Sequence, residues 1–165
     1  LKADEVEEII ITGHPLVKEL TGKTDLKTGL EGKFSVYHCV AAGFLRLKAG
    51  VNEFTDDFVN KQEVKTLRSK VRLRIDEKIK EDQVRITVKL TDGKELSHFV
   101  EHAIGSMDLP MSDQQLKDKF KDVTGNIISE EAKERLIDQI YRLEEIEDLD
   151  EFFQLCTPVE SGSPI

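Results

Sequence analysis

The side chains with the clearest potential for chemistry are Tyr37 and His38, which stand next to each other inside an otherwise apolar run. An imidazole exchanges protons near neutral pH, and a phenol hydroxyl can donate a hydrogen bond or a proton. A buried polar group without a partner costs about 1–3 kcal/mol. We therefore expect His38 to be either a hydrogen-bonded core residue, which is the commoner case, or part of a site.

The apolar run itself predicts the element that positions these two side chains. From Lys33 to Ala49, apolar residues recur three and four positions apart, as they do in a packed helix. The predicted buried face consists of Phe34, Tyr37, Val40, Ala41, Phe44 and Leu45. The remaining positions include the small residues Cys39, Ala42 and Gly43. We therefore expect a helix that is enclosed on more than one side, with Gly43 allowing close approach.

The rest of the chain predicts an α+β fold. Alternating apolar and polar residues predict strands at residues 6–12, 71–75, 84–90 and 96–100. The last two strands would form a hairpin around the turn Asp92-Gly93. Cap residues predict helices after Thr55, Ser112 and Ser129, and apolar residues predict a short final helix. We expect a mostly antiparallel sheet of three to four strands, covered on one face by helices.

Residues 15–32 lie between the first predicted strand and the predicted helix. Threonines, glycines and lysines alternate through this segment. The pattern favours a long loop, and loops of this length are commonly functional. We expect the segment to help close over a substrate.

Composition and charge exclude several classes of function. The 165-residue chain has a net charge of −9, which argues against a nucleic-acid partner. No apolar run approaches the roughly 20 residues of a membrane-spanning helix, so we expect no membrane partner. Two cysteines, Cys39 and Cys156, favour a reducing compartment without a disulfide framework. The expected location is the cytoplasm, or the mitochondrion if the source is a eukaryote.

A basic segment runs against this acidic background. Between Lys61 and Lys80 there are eight basic residues and three acidic ones. Arg72 and Arg74 alternate with apolar residues and would share one face of a strand. That face could be a solvated surface or a patch that attracts a carboxylate-rich ligand. The pattern favours the solvated surface.

Three other possible sites are rejected on their residue types. His98 and His102 lie four residues apart, but two histidines without a third ligand fall short of a metal site. Ser112 with Gln115 forms a capping box, and no local base would activate the hydroxyl as a nucleophile. The dense carboxylates after Ser129 are typical of a solvated helix face.

Several spaced motifs together resemble one known family. In chain order they are His14-Pro15-Leu16-Val17, Gly32-Lys33-Phe34-Ser35, Phe54-Thr55-Asp56, Leu67-Arg68-x-Lys70-Val71, Gly105-x5-Met111-Ser112 and Leu116-x-x-Lys119-Phe120. Their order and spacing resemble the C-terminal part of the MmgE/PrpD family. That family includes 2-methylcitrate dehydratases, cis-aconitate decarboxylase and iminodisuccinate epimerases.

The resemblance implies a two-domain enzyme in which a large all-helical domain precedes a smaller α+β lid. Residues 1–156 would be the lid, with a chorismate-mutase-like arrangement, and residues 157–165 a disordered tail. The helical domain would be a partner that is absent from this chain, in agreement with Leu1 in place of an initiator methionine. A homodimer is also expected.

The resemblance also implies a function and a set of site residues. His38 stands where decarboxylase-like members place an active-site tyrosine, so it is the predicted catalytic residue. Tyr37 and Lys33 are predicted to contact the substrate, a small di- or tricarboxylate. The predicted activity is that of a lyase or epimerase that uses no cofactor and no metal. The isolated fragment is expected to be inactive, and the alternative is a non-catalytic structural or dimerisation module.

Overall fold

Apolar residues on both faces make the first strand the centre of a four-stranded sheet. The structure is a computed structural model that describes residues 1–125 and 127–158. Its strands are β1 (Val6–Gly13), β2 (Val71–Ile75), β3 (Val84–Leu90) and β4 (Glu95–Val100). They lie in the order β2-β1-β3-β4. The consecutive residues Ile9, Ile10 and Ile11 are only 1%, 8% and 1% exposed, as expected for a strand covered on both faces.

The sheet is mixed. β1 pairs in parallel with β2 and antiparallel with β3, and β3 pairs antiparallel with β4. The α+β class and the hairpin are therefore confirmed. Two of the three strand pairs are antiparallel as predicted, and the pairing of β1 with β2 is parallel. A parallel pair needs a long crossover, and the helical residues between β1 and β2 supply it. The chorismate-mutase-like arrangement stays a prediction.

Two compact units divide the chain, an N-terminal unit (Leu1–Pro110) and a C-terminal unit (Met111–Ile165). The helices of the N-terminal unit are α1 (Pro15–Thr21), α2 (Gly29–Gly32), α3 (Val36–Arg46), α4 (Asp56–Asn60) and α5 (Gln62–Ser69). A short 3-10 turn occupies Val51–Phe54. Thr55 caps α4 as predicted, since its Oγ1 accepts a hydrogen bond from the N–H of Phe58 at 3.2 Å.

The expected loop at 15–32 is wrong, because the segment contains α1 and α2. His14 caps α1 with Nδ1, which accepts from the N–H of Leu16 at 3.3 Å, and Pro15 occupies the first turn. Proline suits that position because the N–H it lacks would be unpaired there. Thr28 and Glu31 form a capping box on α2, with the Glu31 carboxylate accepting from the Thr28 N–H at 3.0 Å.

Helix α3 is shorter than the predicted helix at 33–49. It begins after Ser35, whose Oγ accepts from the N–H of His38 at 3.3 Å. It ends at Arg46, and the capping residue Leu47 adopts a left-handed backbone with φ of 57°. Phe34 lies before the helix and is 55% exposed, so it does not belong to the buried face.

The core of the N-terminal unit joins β1 to the helices. Its buried residues are Val6, Ile9, Ile11, Ala41, Ala42, Phe58, Val64, Leu67, Val71 and Leu90. The opposite side of α3 is not enclosed as predicted. Cys39, Val40, Gly43 and Phe44 instead line an open apolar groove of about 360 Å³ beside β3. An added Cβ at Gly43 would meet no heavy atom of the described chain within 4 Å, so close packing does not require this glycine.

The C-terminal unit is helical. It contains α6 (Asp113–Thr124), α7 (Glu130–Tyr141) and α8 (Asp150–Leu155). The capping box of Ser112 and the cap of Ser129 are confirmed. Leu136 and Ile137 of α7 are buried, whereas Leu116 of α6 is exposed. Leu116 lines a groove of about 460 Å³ in this unit, between α6 and α7.

The predicted tail at 157–165 lies almost entirely outside the described residues, which end at 158. Within the described ranges, no helix has both the length and the apolar character that crossing a membrane requires.

Candidate functional site

His38 lies in the first turn of α3, and its side chain is fully buried. The ring nitrogen Nε2 lies 2.7 Å from the carbonyl oxygen of Glu53. Because a carbonyl oxygen only accepts hydrogen bonds, Nε2 carries the proton and donates it. The ring edge contacts two aromatic rings, those of Phe54 at 5.4 Å and Phe58 at 6.0 Å between centroids. The imidazole therefore joins α3 to the 3-10 turn and to α4.

The surroundings of His38 favour its neutral form. Burial lowers the pKa of the imidazole, the hydrogen bond to Glu53 opposes this shift, and the charge of Arg68 lowers the pKa further. Nδ1 is buried and has no hydrogen-bond partner within the described part of the chain. The structure thus holds a neutral imidazole with one ring nitrogen satisfied by the backbone.

This arrangement is the one expected for a structural histidine. The ring does not reach the surface, and a single backbone oxygen is its hydrogen-bond partner among the described residues. A proton-transfer group must come within hydrogen-bond distance of the substrate. Proton transfer by His38 therefore stays a prediction that the enclosure of the ring does not favour.

Tyr37 and Lys33 occupy different surroundings from His38. Tyr37 is half-buried, and its side chain lines a cavity on the surface of the N-terminal unit. Lys33 is exposed at the junction of α2 and α3 and does not line that cavity. The structure therefore does not bring the three predicted site residues together at one opening.

The cavity beside Tyr37 is basic, and we refer to it as the basic cavity. Its volume is about 540 Å³, within the range of small-molecule sites. It is lined by Thr24, Tyr37, Lys65, Arg68, Ser69, Val71, Arg72 and Leu73. Three of these side chains are cationic and none is acidic. Helices α3 and α5 and strand β2 together supply seven of the eight lining residues, since Ser69 ends α5 and Val71 begins β2.

Backbone oxygens hold the two arginines of the basic cavity. Arg68 Nη1 donates to the carbonyl oxygen of Val59 at 3.3 Å. Arg72 Nη1 donates to the carbonyl oxygens of Ser69 at 2.6 Å and Val71 at 3.1 Å. Burial lowers the pKa of the Arg68 guanidinium, and the charge of Asp25 acts in the opposite direction. Arg68 is thus a partly desolvated cation.

Sequence reasoning did not assign Lys65, Arg68 and Arg72 to a site. The signal was present in the basic segment at 61–80, but the alternation of Arg72 and Arg74 favoured a solvated surface. Arg74 is indeed exposed and does not line the basic cavity. Arg72 is also exposed, as predicted, but it differs from Arg74 in lining the basic cavity together with Lys65 and Arg68 of α5.

A second polar cluster surrounds His102. Its Nδ1–H donates to the Asp82 carboxylate at 2.7 Å and lies 3.7 Å from the Asp108 carboxylate. The hydrogen bond to Asp82 and the nearby carboxylates raise the pKa of His102. His98 lies elsewhere, on β4 opposite Ile86. The spacing of the two histidines therefore does not reflect a shared site, and His102 forms an ion pair with loop carboxylates.

Comparison with known proteins supports the family suggested by the motifs. The family profile described as the MmgE/PrpD C-terminal domain matches residues 1–145. This match includes β1 to β4 and the helices that line the basic cavity. A comparison with curated proteins finds no match.

Proposed function

Because the chain belongs to the MmgE/PrpD family, we propose that it forms one wall of the active site of a lyase or epimerase. The reaction moves a proton at a carbon next to a carboxylate of a small di- or tricarboxylic acid. Dehydration, decarboxylation and epimerisation can each include such a step. An N-terminal helical domain would supply the other wall and the remaining catalytic groups.

One observation carries the proposal: Tyr37, on the helix that follows the family motif Gly32-Lys33-Phe34-Ser35, lines the basic cavity. The phenol hydroxyl can donate a hydrogen bond to a substrate carboxylate. When a proton leaves the neighbouring carbon, negative charge spreads towards that carboxylate. Positively charged groups and hydrogen-bond donors placed beforehand around it stabilise this charge. Tyr37 is thus the predicted site residue that the proposal retains as a substrate contact.

We assign His38 a positioning role. Its Nε2–H is bonded to the Glu53 backbone, and its ring packs between Phe54 and Phe58. These contacts determine where the first turn of α3 lies. Tyr37 is the preceding residue in that turn, so a change at His38 would displace the Tyr37 side chain. The predicted contact of Lys33 with the substrate would require the second domain to approach the α2–α3 junction.

The test is turnover by a two-domain enzyme that carries this chain behind its helical domain. Tyr37→Phe removes one hydroxyl, and Tyr141→Phe in the C-terminal unit is the matched control. Candidate substrates are 2-methylcitrate, cis-aconitate and iminodisuccinate. We expect Tyr37→Phe to lower kcat/KM about tenfold or more, because a hydrogen bond to a charged group is lost. Tyr141→Phe should leave kcat/KM unchanged.

His38→Ala and His38→Tyr separate the two roles of His38. If His38 only positions Tyr37, the variants with the lower thermal stability should also have the lower turnover. The dependence of kcat on pH should then still show both its acidic and its basic limb. A loss of about 100-fold in a protein that melts like the wild type, with one limb missing, would instead establish proton transfer. If Tyr37→Phe and both His38 variants turn over normally, the domain is a structural module. Homodimer formation and location in the cell stay predictions.

A further inference from the structure

The basic cavity concentrates positive charge in a protein that is strongly acidic overall. The chain has a net charge of −9, yet the cavity wall contains Lys65, Arg68 and Arg72 and no acidic side chain. Cations that share one wall repel one another, and the repulsion is strongest where water is partly excluded. A bound anion would relieve this repulsion.

Within residues 1–125 and 127–158, the charge of Asp25 acts on Arg68, but no carboxylate forms an ion pair with any of these three cations. Each arginine bonds backbone carbonyls through Nη1. These bonds orient the guanidinium group and leave its charge in place. An arginine held in this way presents its remaining N–H groups as a rigid fork, which suits a carboxylate.

The other lining groups suit a small molecule with several carboxylates. The hydroxyls of Thr24, Tyr37 and Ser69 can donate hydrogen bonds to carboxylate oxygens. The side chains of Val71 and Leu73 provide an apolar surface for a carbon skeleton. The two arginines belong to different elements, since Arg68 is on α5 and Arg72 is on β2. Two guanidinium groups that line one cavity match two carboxylates on one skeleton, one for each group.

We propose that the basic cavity binds a small polycarboxylate, with Arg68 and Arg72 each donating hydrogen bonds to one carboxylate group. The choice of carboxylate over other anions rests on the proposed function, because phosphate oxygens would also fit the guanidinium fork. The binding step itself requires no second domain and no turnover. Binding to the basic cavity can therefore be tested separately from the enzymatic proposal.

The test is calorimetric titration of the 165-residue chain with tricarballylate, a saturated tricarboxylate, at low ionic strength. Propionate, inorganic phosphate and sulfate are titrated in parallel. We expect tricarballylate to bind more tightly than all three. Arg68→Gln and Arg72→Gln should each weaken tricarballylate binding about tenfold or more, because each removes a charge-assisted hydrogen-bonding pair. Arg74→Gln is the matched control, since Arg74 lies on the same strand outside the cavity.

Arg72→Lys tests geometry separately from charge. It retains the positive charge and removes the planar fork, so binding should weaken although the net charge is the same. Arg68→Gln loses the hydrogen bond to Val59 and could fail to fold for that reason. In that case, the tricarballylate affinities of Arg72→Gln and Lys65→Gln test the proposal. Equal weakening by Arg74→Gln would overturn the proposal, as would tighter binding of phosphate or sulfate, or no binding of tricarballylate. Normal binding in a chain whose two-domain enzyme is inactive would overturn only the enzymatic proposal.

Discussion

At the scale of single residues, His38 and His102 show how position determines protonation. His38 is enclosed by α3, α4 and the 3-10 turn, and burial lowers its pKa. His102 lies in a solvent-accessible loop beside Asp82, and the hydrogen bond to this carboxylate raises its pKa. The same side chain therefore favours its neutral form where it is enclosed and its protonated form beside carboxylates.

We predict that His38 makes the protein less stable in mild acid. Folding lowers its pKa below the ordinary value of 6.5, so below that pH the unfolded chain binds a proton that the folded chain does not. The contribution of His38 to stability therefore falls as the pH decreases from about 7 to about 5.5, whereas His102, whose pKa is raised, acts in the opposite direction. Urea unfolding at the two pH values should show a smaller loss of unfolding free energy in His38→Gln than in the wild type.

The control for this pH dependence is His98→Gln. His98 is exposed on β4, and its replacement should leave the pH dependence of the wild type intact. The comparison concerns the change between the two pH values and not the absolute stability, which His38→Gln also alters. Equal pH dependence in the wild type and His38→Gln would show that folding does not shift the titration of His38.

At the scale of secondary-structure elements, two glycines differ in the space around them. Gly29 is packed tightly against backbone, whereas Gly43 faces open space. Gly29 begins α2, and its N–H donates to the Asp56 carboxylate at 2.7 Å. A Cβ at this position would lie 1.8 Å from the carbonyl oxygen of Phe54. A backbone oxygen cannot rotate away like a side chain, so the 3-10 turn would have to move. Helix α2 therefore depends on glycine for its contact with that turn.

We predict opposite effects for two glycine substitutions. Gly29→Ala should destabilise the protein by about 1–3 kcal/mol or more, because it overpacks α2 against backbone. Gly43→Ala should stabilise the protein by about 1 kcal/mol, because alanine is the better helix former and its Cβ points into open space. Urea unfolding of both variants checks the prediction. Two variants of equal stability would contradict it.

Local capping signals also explain the misjudged segment at 15–32. His14-Pro15 follows the predicted strand at 6–12, and proline is as typical of a first helical turn as of a loop. Thr28 and Glu31 have the spacing of a capping box, but glycines on both sides suggested a loop. Helices of seven and four residues contain too few turns for apolar periodicity to be visible. Their caps were the available signal.

At the scale of the whole molecule, the N-terminal unit contains a complete sheet and core. All four strands and every residue of the core cluster lie between Val6 and Val100. We predict that a chain ending at Pro110 folds cooperatively and retains the basic cavity, whose lining residues lie between Thr24 and Leu73. Circular dichroism during urea unfolding measures the cooperativity, and tricarballylate titration measures the cavity.

A gradual unfolding curve for the truncated chain would show that the C-terminal unit is needed for folding. A cooperative curve together with lost tricarballylate binding would show that the unit affects the basic cavity. The wild-type chain under the same conditions is the reference for both measurements.

The sequence alone was sufficient for much of the fold because most of its signals are local. Alternating residues predicted β1 and the β3–β4 hairpin, and hydroxyl caps predicted the starts of α4, α6 and α7. The parallel pairing of β1 with β2 was not predictable in this way, since it joins strands separated by several helices. The family was also recognisable, because its motifs depend on order and spacing within the chain.

The candidate site, in contrast, was decided by tertiary structure. The sequence determined that Tyr37 and His38 share a turn of helix and that basic residues cluster near β2. Only the packing of α3 and α4 with the 3-10 turn encloses His38, and only the packing of α3 and α5 beside β2 brings Tyr37 next to Arg68 and Arg72. Helical periodicity reveals which residues share a face, whereas burial and charge at a site depend on contacts between residues far apart in the chain.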